Sequence, residues 1–80
     1  MKLRVYLNFD EKAVTEPVIW KLAKAFDVVT NIRTAQVKEG MGLVGLEISG
    51  DADVVEASVK WLEAHDGVHV EPIEQNVIEG

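Results

Sequence analysis

The chain contains no cysteine, which excludes disulfides, thiolate metal ligands and a thiol nucleophile within its 80 residues. It also has no apolar run of the about 18 residues that a membrane-spanning helix needs. The start, MKLRVYLNF, lacks the long apolar core and the small-residue cleavage site of a secretory signal. We therefore expect a cytoplasmic protein without membrane insertion.

Basic residues are scarce, since eight lysines and arginines stand against fourteen aspartates and glutamates, for a net charge of −6. The basic residues are also scattered, so no local basic run is hidden by the acidic total. A polyphosphate backbone would be repelled by such a surface on average. We expect no nucleic-acid partner.

The segment Val28–Gly50 predicts a β-hairpin between two amphipathic helices. Alternating apolar residues predict a strand over residues 2–9, before the first helix, and Val68 and Val70 indicate a last strand after the second. The element order β-α-β-β-α-β predicts an α+β, ferredoxin-like fold: a four-stranded antiparallel sheet of order 4-1-3-2 with two helices on one face. We place this domain at residues 1–73 and a flexible C-terminal tail at 74–80.

Capping residues and apolar spacing predict where the two helices begin and end. Thr15 is the predicted cap of a first helix that opens with Glu16 and Pro17 and continues to about Phe26. Asp51 is the predicted cap of a second helix over Ala52–Ala64. In the first helix, we expect Trp20 to pack at the helix edge.

The apolar residues of the second strand, about 28–38, change parity part of the way along it. Ile32 belongs to one face, whereas Ala35 and Val37 belong to the other. One extra residue in a β-bulge at Arg33 or Thr34 would return all three apolar side chains to one face. The sequence therefore predicts a bulge there, and bulges are common on sheet edges, where the predicted order places this strand.

The sheet face opposite the helices is predicted to carry Tyr6, Leu43, Gly45 and His69. Such a mixture is typical of a contact with a subunit or partner, although ordinary solvent exposure explains it equally well. Because Gly45 has no side chain, we expect this face to admit close approach by a ligand or another chain.

Motifs that carry chemistry are few. Asp51, Asp53 and Glu56 cluster at a helix start, where acidic residues cap the helix and stabilise its dipole. His65 and His69 are four residues apart, but a glycine turn separates them, so they lack the shared helix face of metal ligands. No phosphate-binding GxxxxGK[ST] or GxGxxG is present. We expect no catalytic residue, no cofactor and no metal, and hence no enzyme.

Five segments, taken in order, carry a family pattern: LRVYLNF, EPVIWKLAKAFDV, Asn31-Ile32, the glycines of GMGLVGLEISG, and VVEASVKWLEAHDGVHVE. In these segments the chain resembles, over about residues 2–73, a NIL domain. This small module is named for an Asn-Ile-Leu motif and occurs at the C-terminus of methionine-importing ABC transporter ATPases and beside some ferredoxin domains. The principal departure is Arg33, where the family usually has leucine.

The resemblance implies an ACT-like module that pairs with its copy and binds methionine near the interface. It places the ligand on the edge strand, at Thr30, Asn31, Ile32, Arg33 and Thr34, whose backbone would bind amino and carboxylate groups. Arg33 could pair with the ligand carboxylate or fill the space that leucine leaves for a thioether, and so alter or abolish binding. The Asn31 amide could instead satisfy backbone groups at the bulge.

Two classes of function follow from this resemblance. The first is a regulatory homodimer that binds methionine or a similar small amino acid and acts in trans on a protein partner, since the chain has no ATPase. The second is a ligand-free adaptor that docks through its sheet edge or open face on an iron-sulfur, ferredoxin or sulfur-metabolism protein, as the ferredoxin-linked relatives suggest.

Overall fold

A computed structural model describes the backbone of residues 1–77 and the side chains of residues 1–71. Its strands are antiparallel and form one sheet of order β2-β3-β1-β4, which confirms the predicted ferredoxin-like topology. The elements, in chain order, are β1 (Lys2–Phe9), a 3-10 turn (Ala13–Thr15), α1 (Val18–Ala25), β2 (Val29–Lys38), β3 (Met41–Ser49), α2 (Ala52–Ala64) and β4 (Val68–Val77).

The core lies between one face of the sheet and the two helices. Leu22 from α1, Ile48 from β3 and Leu62 from α2 are completely buried, and Leu3 of β1 packs against them. Each buried leucine or isoleucine contributes about 1.5 to 3 kcal/mol to folding. The apolar alternation in the sequence therefore predicted the correct interior, and no element within residues 1–77 covers the opposite sheet face.

The predicted bulge in β2 is confirmed, and Arg33 is its extra residue. The register against β3 shifts between Ile32 and Thr34. Beyond the shift, Ala35 and Val37 return to the sheet face of Ile32. Because β2 is an edge strand that the helices scarcely cover, these side chains are nevertheless exposed.

The predicted cap of the first helix is wrong. The Thr15 hydroxyl lies in the 3-10 turn and donates a hydrogen bond to the carbonyl of Lys12, while α1 begins only at Val18. The Asp10 carboxylate organises this region instead, because its Oδ1 accepts hydrogen bonds from the backbone amides of Lys12 and Ala13, each at 2.9 Å. An Asp side chain that binds nearby amides in this way stabilises a tight turn.

The second helix has the predicted bounds. Asp51 occupies the N-cap position, as predicted, but its side chain makes no capping hydrogen bond; Asp53 lies in the first turn, where its charge favours the helix dipole. Neither helix of residues 1–77 is long and apolar enough to cross a bilayer.

The last strand reaches further than predicted. It runs to Val77, which pairs with Leu3 of β1. Residues 74–77 of the predicted tail therefore belong to β4, while residues 78–80 lie outside the described residues. The flexibility that the sequence predicts for residues 74–77 stays a prediction.

Candidate functional site

The five predicted ligand residues lie together on β2, at the edge of the sheet. Within the described sheet, β2 is hydrogen-bonded to β3 alone, so its outer side carries backbone groups without a strand neighbour. Thr30 is half-buried, and Asn31 through Thr34 are exposed. An exposed edge of this kind is a template for binding a second chain or the polar groups of a ligand.

The side chains of these residues divide between the two faces of the sheet. Thr30 and Ile32 belong to the helix side, and Ile32 is 53% exposed. Asn31 belongs to the open side, where it lies directly opposite Glu47 of β3. Arg33 also reaches the open side, because its guanidinium contacts Glu47.

Glu47 is the centre of an ion cluster on the open face. Its Oε2 accepts hydrogen bonds from Arg4 Nη2 at 3.1 Å and from Arg33 Nη1 at 3.4 Å, and only 7% of Glu47 is exposed. The Arg4 hydrogen bond holds the pKa of the Glu47 carboxyl below its usual value; burial opposes this shift, and the charges of Lys2 and Arg33 support it. Among the described side chains, the cluster thus has more positive than negative charge around one buried carboxylate.

The apolar pattern of the sequence does not predict this ion cluster, although the strand register contains a signal for it. Arg4 lies directly opposite Glu47 across β1 and β3, and Asn31 lies opposite Glu47 on the other side. The three residues therefore form a row across three strands. Arg4 and Glu47 share the open-face parity in the sequence, so a register deduced from the hairpin would have placed them together.

The expectation that Gly45 leaves room for a ligand or another chain is wrong. A Cβ atom at Gly45 would lie 2.6 Å from Thr34 Cγ2 and 3.1 Å from Tyr6 Cε1. The chain's own side chains therefore occupy the space above this glycine. Tyr6 and Thr34 flank Gly45 directly in the register, so the packing is a cross-strand contact of the sheet itself.

A separate apolar groove lies on the helix side, between the start of α1 and the β2–β3 hairpin. Its volume is about 220 Å³, and its apolar lining includes Phe9, Ile19, Trp20 and Val37. Trp20 is 61% exposed, which corrects the prediction that it packs at the helix edge. The edge strand covers little of the indole, because Val37 is itself 69% exposed. The ammonium of Lys24 lies 5.7 Å from the centroid of the Trp20 ring.

The two histidines have separate environments. His65 Nε2 lies 2.8 Å from Glu16 Oε2, which Lys21 also contacts at 2.9 Å, and the hydrogen bonds from Lys21 and His65 lower the pKa of Glu16. His69 is exposed on the open face, opposite Asn8. Among the described side chains, no group of three or more acidic or histidine residues could hold a metal ion.

The chain is similar to a known protein family and to solved structures. The solved structure "De novo designed protein Ferredog-Diesel" is similar to this chain with 17% identity and a TM-score of 0.47, over 89% of this chain and 84% of the designed chain. No curated protein gives a significant match. The NIL domain profile matches residues 3–72, which is most of the chain. The chain therefore belongs to the NIL domain family.

Proposed function

We propose that the protein is a non-catalytic regulatory module that binds methionine or a similar small amino acid at the interface of a homodimer. The observation that carries the proposal is the position of the family motif residues Asn31 and Ile32 on an exposed edge strand. Membership of the NIL domain family supports the same reading.

Pairing of β2 with β2 of a second copy is the dimer that this edge favours. Two antiparallel copies related by a two-fold axis would continue the sheet and satisfy backbone groups that now lack a strand neighbour. The strand also exposes Val29, Ile32 and Val37, whose apolar surface would be partly buried by the partner. An 80-residue domain has a small core, so such burial adds significantly to its stability.

An amino acid would bind where the two edges meet. Its charged groups would bind close to Thr30–Thr34, and its apolar side chain would contact exposed apolar residues of the strand. A ligand that contacts both copies stabilises the dimer by mass action. The protein would thereby couple the concentration of a free amino acid to its own assembly, and through it to a protein partner in trans.

Sedimentation tests the dimer. We expect the wild-type protein to sediment as a dimer at micromolar concentration and the Ile32→Lys variant as a monomer, because a charge on the edge strand opposes strand pairing. Ala23→Lys adds the same charge to the exposed face of α1 and serves as the control that stays dimeric. A wild-type monomer at high micromolar concentration would remove the proposed interface.

Urea unfolding in the presence of each common amino acid tests the ligand. An amino acid present at about 100 times its Kd should raise the free energy of unfolding by about 2.7 kcal/mol. We expect methionine, or an amino acid of similar size, to give such a rise. If none of them does, the proposal that the protein binds an amino acid is contradicted.

The second candidate is a ligand-free adaptor that docks on an iron-sulfur or sulfur-metabolism protein. The exposed indole of Trp20 beside the apolar groove favours it, because aromatic residues of this kind anchor protein interfaces. Docking would then use the helix side rather than the sheet edge or the open face expected from the sequence. The adaptor predicts no stabilisation by amino acids. It also predicts that Trp20→Ala weakens binding to such a protein without changing the sedimentation of the domain alone.

A further inference from the structure

The ion cluster on the open face has further hydrogen-bond donors that could bind an anion. The guanidiniums of Arg4 and Arg33 both bind the same oxygen of Glu47, and each has several further N–H donors. Lys2 adds a third positive charge close enough to act on Glu47. Within residues 1–71, whose side chains the structure describes, one buried carboxylate therefore faces three cations, in a protein whose net charge is −6.

A second observation concerns an unsatisfied donor in the same cluster. The Nε atom of Arg4 is buried and has no hydrogen-bond partner among the described residues. Buried polar groups without partners are uncommon, and each requires an explanation. Here the unpartnered group belongs to one of the two arginines that flank Glu47.

The two guanidiniums are accessible from the open side, next to the predicted ligand strand. The Arg33 side chain is 51% exposed and that of Arg4 is 36% exposed, whereas Glu47 beneath them is buried. Arg33 reaches this position from the bulge, and bulges commonly redirect a side chain in this way. Asn31 completes the row beside them.

We infer that Arg4 and Arg33, held side by side by Glu47, bind the carboxylate of the amino-acid ligand on the open face of the sheet, an assignment that rests on the proposed function. Guanidinium groups bind carboxylates through paired hydrogen bonds, which gives both affinity and orientation. Glu47 is a positioning residue, because it fixes the separation of the two guanidiniums. The ligand's side chain would then point towards the edge of the sheet.

Calorimetric titration with two probes tests the assignment. The probes are methionine and 3-methylthiopropylamine, which keeps the side chain and the amine of methionine but lacks its carboxylate. For the wild-type protein, we expect the amine to bind at least about tenfold more weakly, the usual effect of losing charged hydrogen bonds.

Substitutions in β2 test whether Arg33 binds the carboxylate. Arg33→Leu should weaken methionine binding by about tenfold or more and reduce the difference between the two probes, because only Arg4 then remains to bind the carboxylate. Lys38→Leu removes an equal charge from the exposed end of β2 and should leave both affinities unchanged. Arg33→Lys, which keeps the charge but loses the paired geometry, should lie between Arg33→Leu and wild type.

The possible failures are distinguishable. If the wild-type protein binds methionine and the amine equally well, or Arg33→Leu binds methionine as tightly as wild type does, the carboxylate assignment is overturned while the proposed function stands. If no amino acid binds to the wild-type protein, both fall. Should Arg33→Leu fail to fold, equal binding of methionine by Arg33→Lys and wild type would overturn the paired geometry.

Discussion

The cross-strand neighbours of Gly45 leave no room for a larger residue at this position. Because a Cβ atom there would lie 2.6 Å from Thr34 Cγ2, we expect Gly45→Ala to lower the free energy of unfolding by about 1 to 3 kcal/mol through overpacking. Thr34→Ser removes that methyl group, so adding it to Gly45→Ala should recover part of the loss. Urea unfolding of the two single variants and the double variant measures this coupling, and strictly additive effects would contradict it.

Protonation of Glu47 is expected to lower the free energy of unfolding at acidic pH. The pKa of Glu47 is lower in the folded protein than the ordinary 4.5. Its contribution to the free energy of unfolding is therefore complete above that pH and is lost as the pH falls below it. We therefore expect the unfolding free energy of the wild-type protein to decline more steeply below pH 4.5 than that of Glu47→Gln.

Urea unfolding at a series of pH values from neutral to about 3 measures this difference in slope. Glu16 and Asp66 also have lowered pKa values, but both remain in the variant, so the difference between the two curves isolates Glu47. Parallel curves for the two proteins would show that the Arg4 hydrogen bond does not persist in solution.

At the scale of the elements, the connection between β1 and α1 depends on Asp10. Its Oδ1 accepts hydrogen bonds from the amides of Lys12 and Ala13, so we expect Asp10→Ala to cost about 1 kcal/mol, as the loss of a cap does. Asp10→Asn keeps an acceptor oxygen and should retain most of the stability. Equal losses in the two variants, measured by urea unfolding, would assign the effect to charge rather than to the turn.

The elements also show which features follow from the sequence. The bulge at Arg33 was predictable because Ile32 and Val37 must share a face, and that constraint is local. The failure of Thr15 to cap α1 was not predictable, because Thr15 is a good capping residue and only the path of the chain places its hydroxyl against the Lys12 carbonyl instead.

The candidate site was predictable in part. The edge position of Asn31 and Arg33 followed from the strand order. The contact of Arg33 with Glu47 depends on the register and on the side-chain direction at the bulge, which apolar patterning does not determine. The exposure of Trp20 depends on how little of β2 the short helix α1 covers, and this is a property of packing rather than of spacing.

At the scale of the whole molecule, one face of the sheet carries the core and the other does not. Leu62 is completely buried against the covered face, so Leu62→Ala should cost about 2 to 5 kcal/mol. Leu43 lies on the open face and is 38% exposed, so the same truncation there should cost less than about 1 kcal/mol. Similar losses of unfolding free energy at both positions would contradict the two-layer architecture.

The most direct test of the central claim, that the edge strand β2 is the ligand site, is a titration of the isotope-labelled protein with methionine followed by amide NMR shifts. We expect the largest shift changes at the amides of Thr30–Thr34, with smaller changes at Arg4 and Glu47 across the open face. Changes confined to the groove around Trp20 and Val37, or no change at millimolar methionine, would contradict the claim.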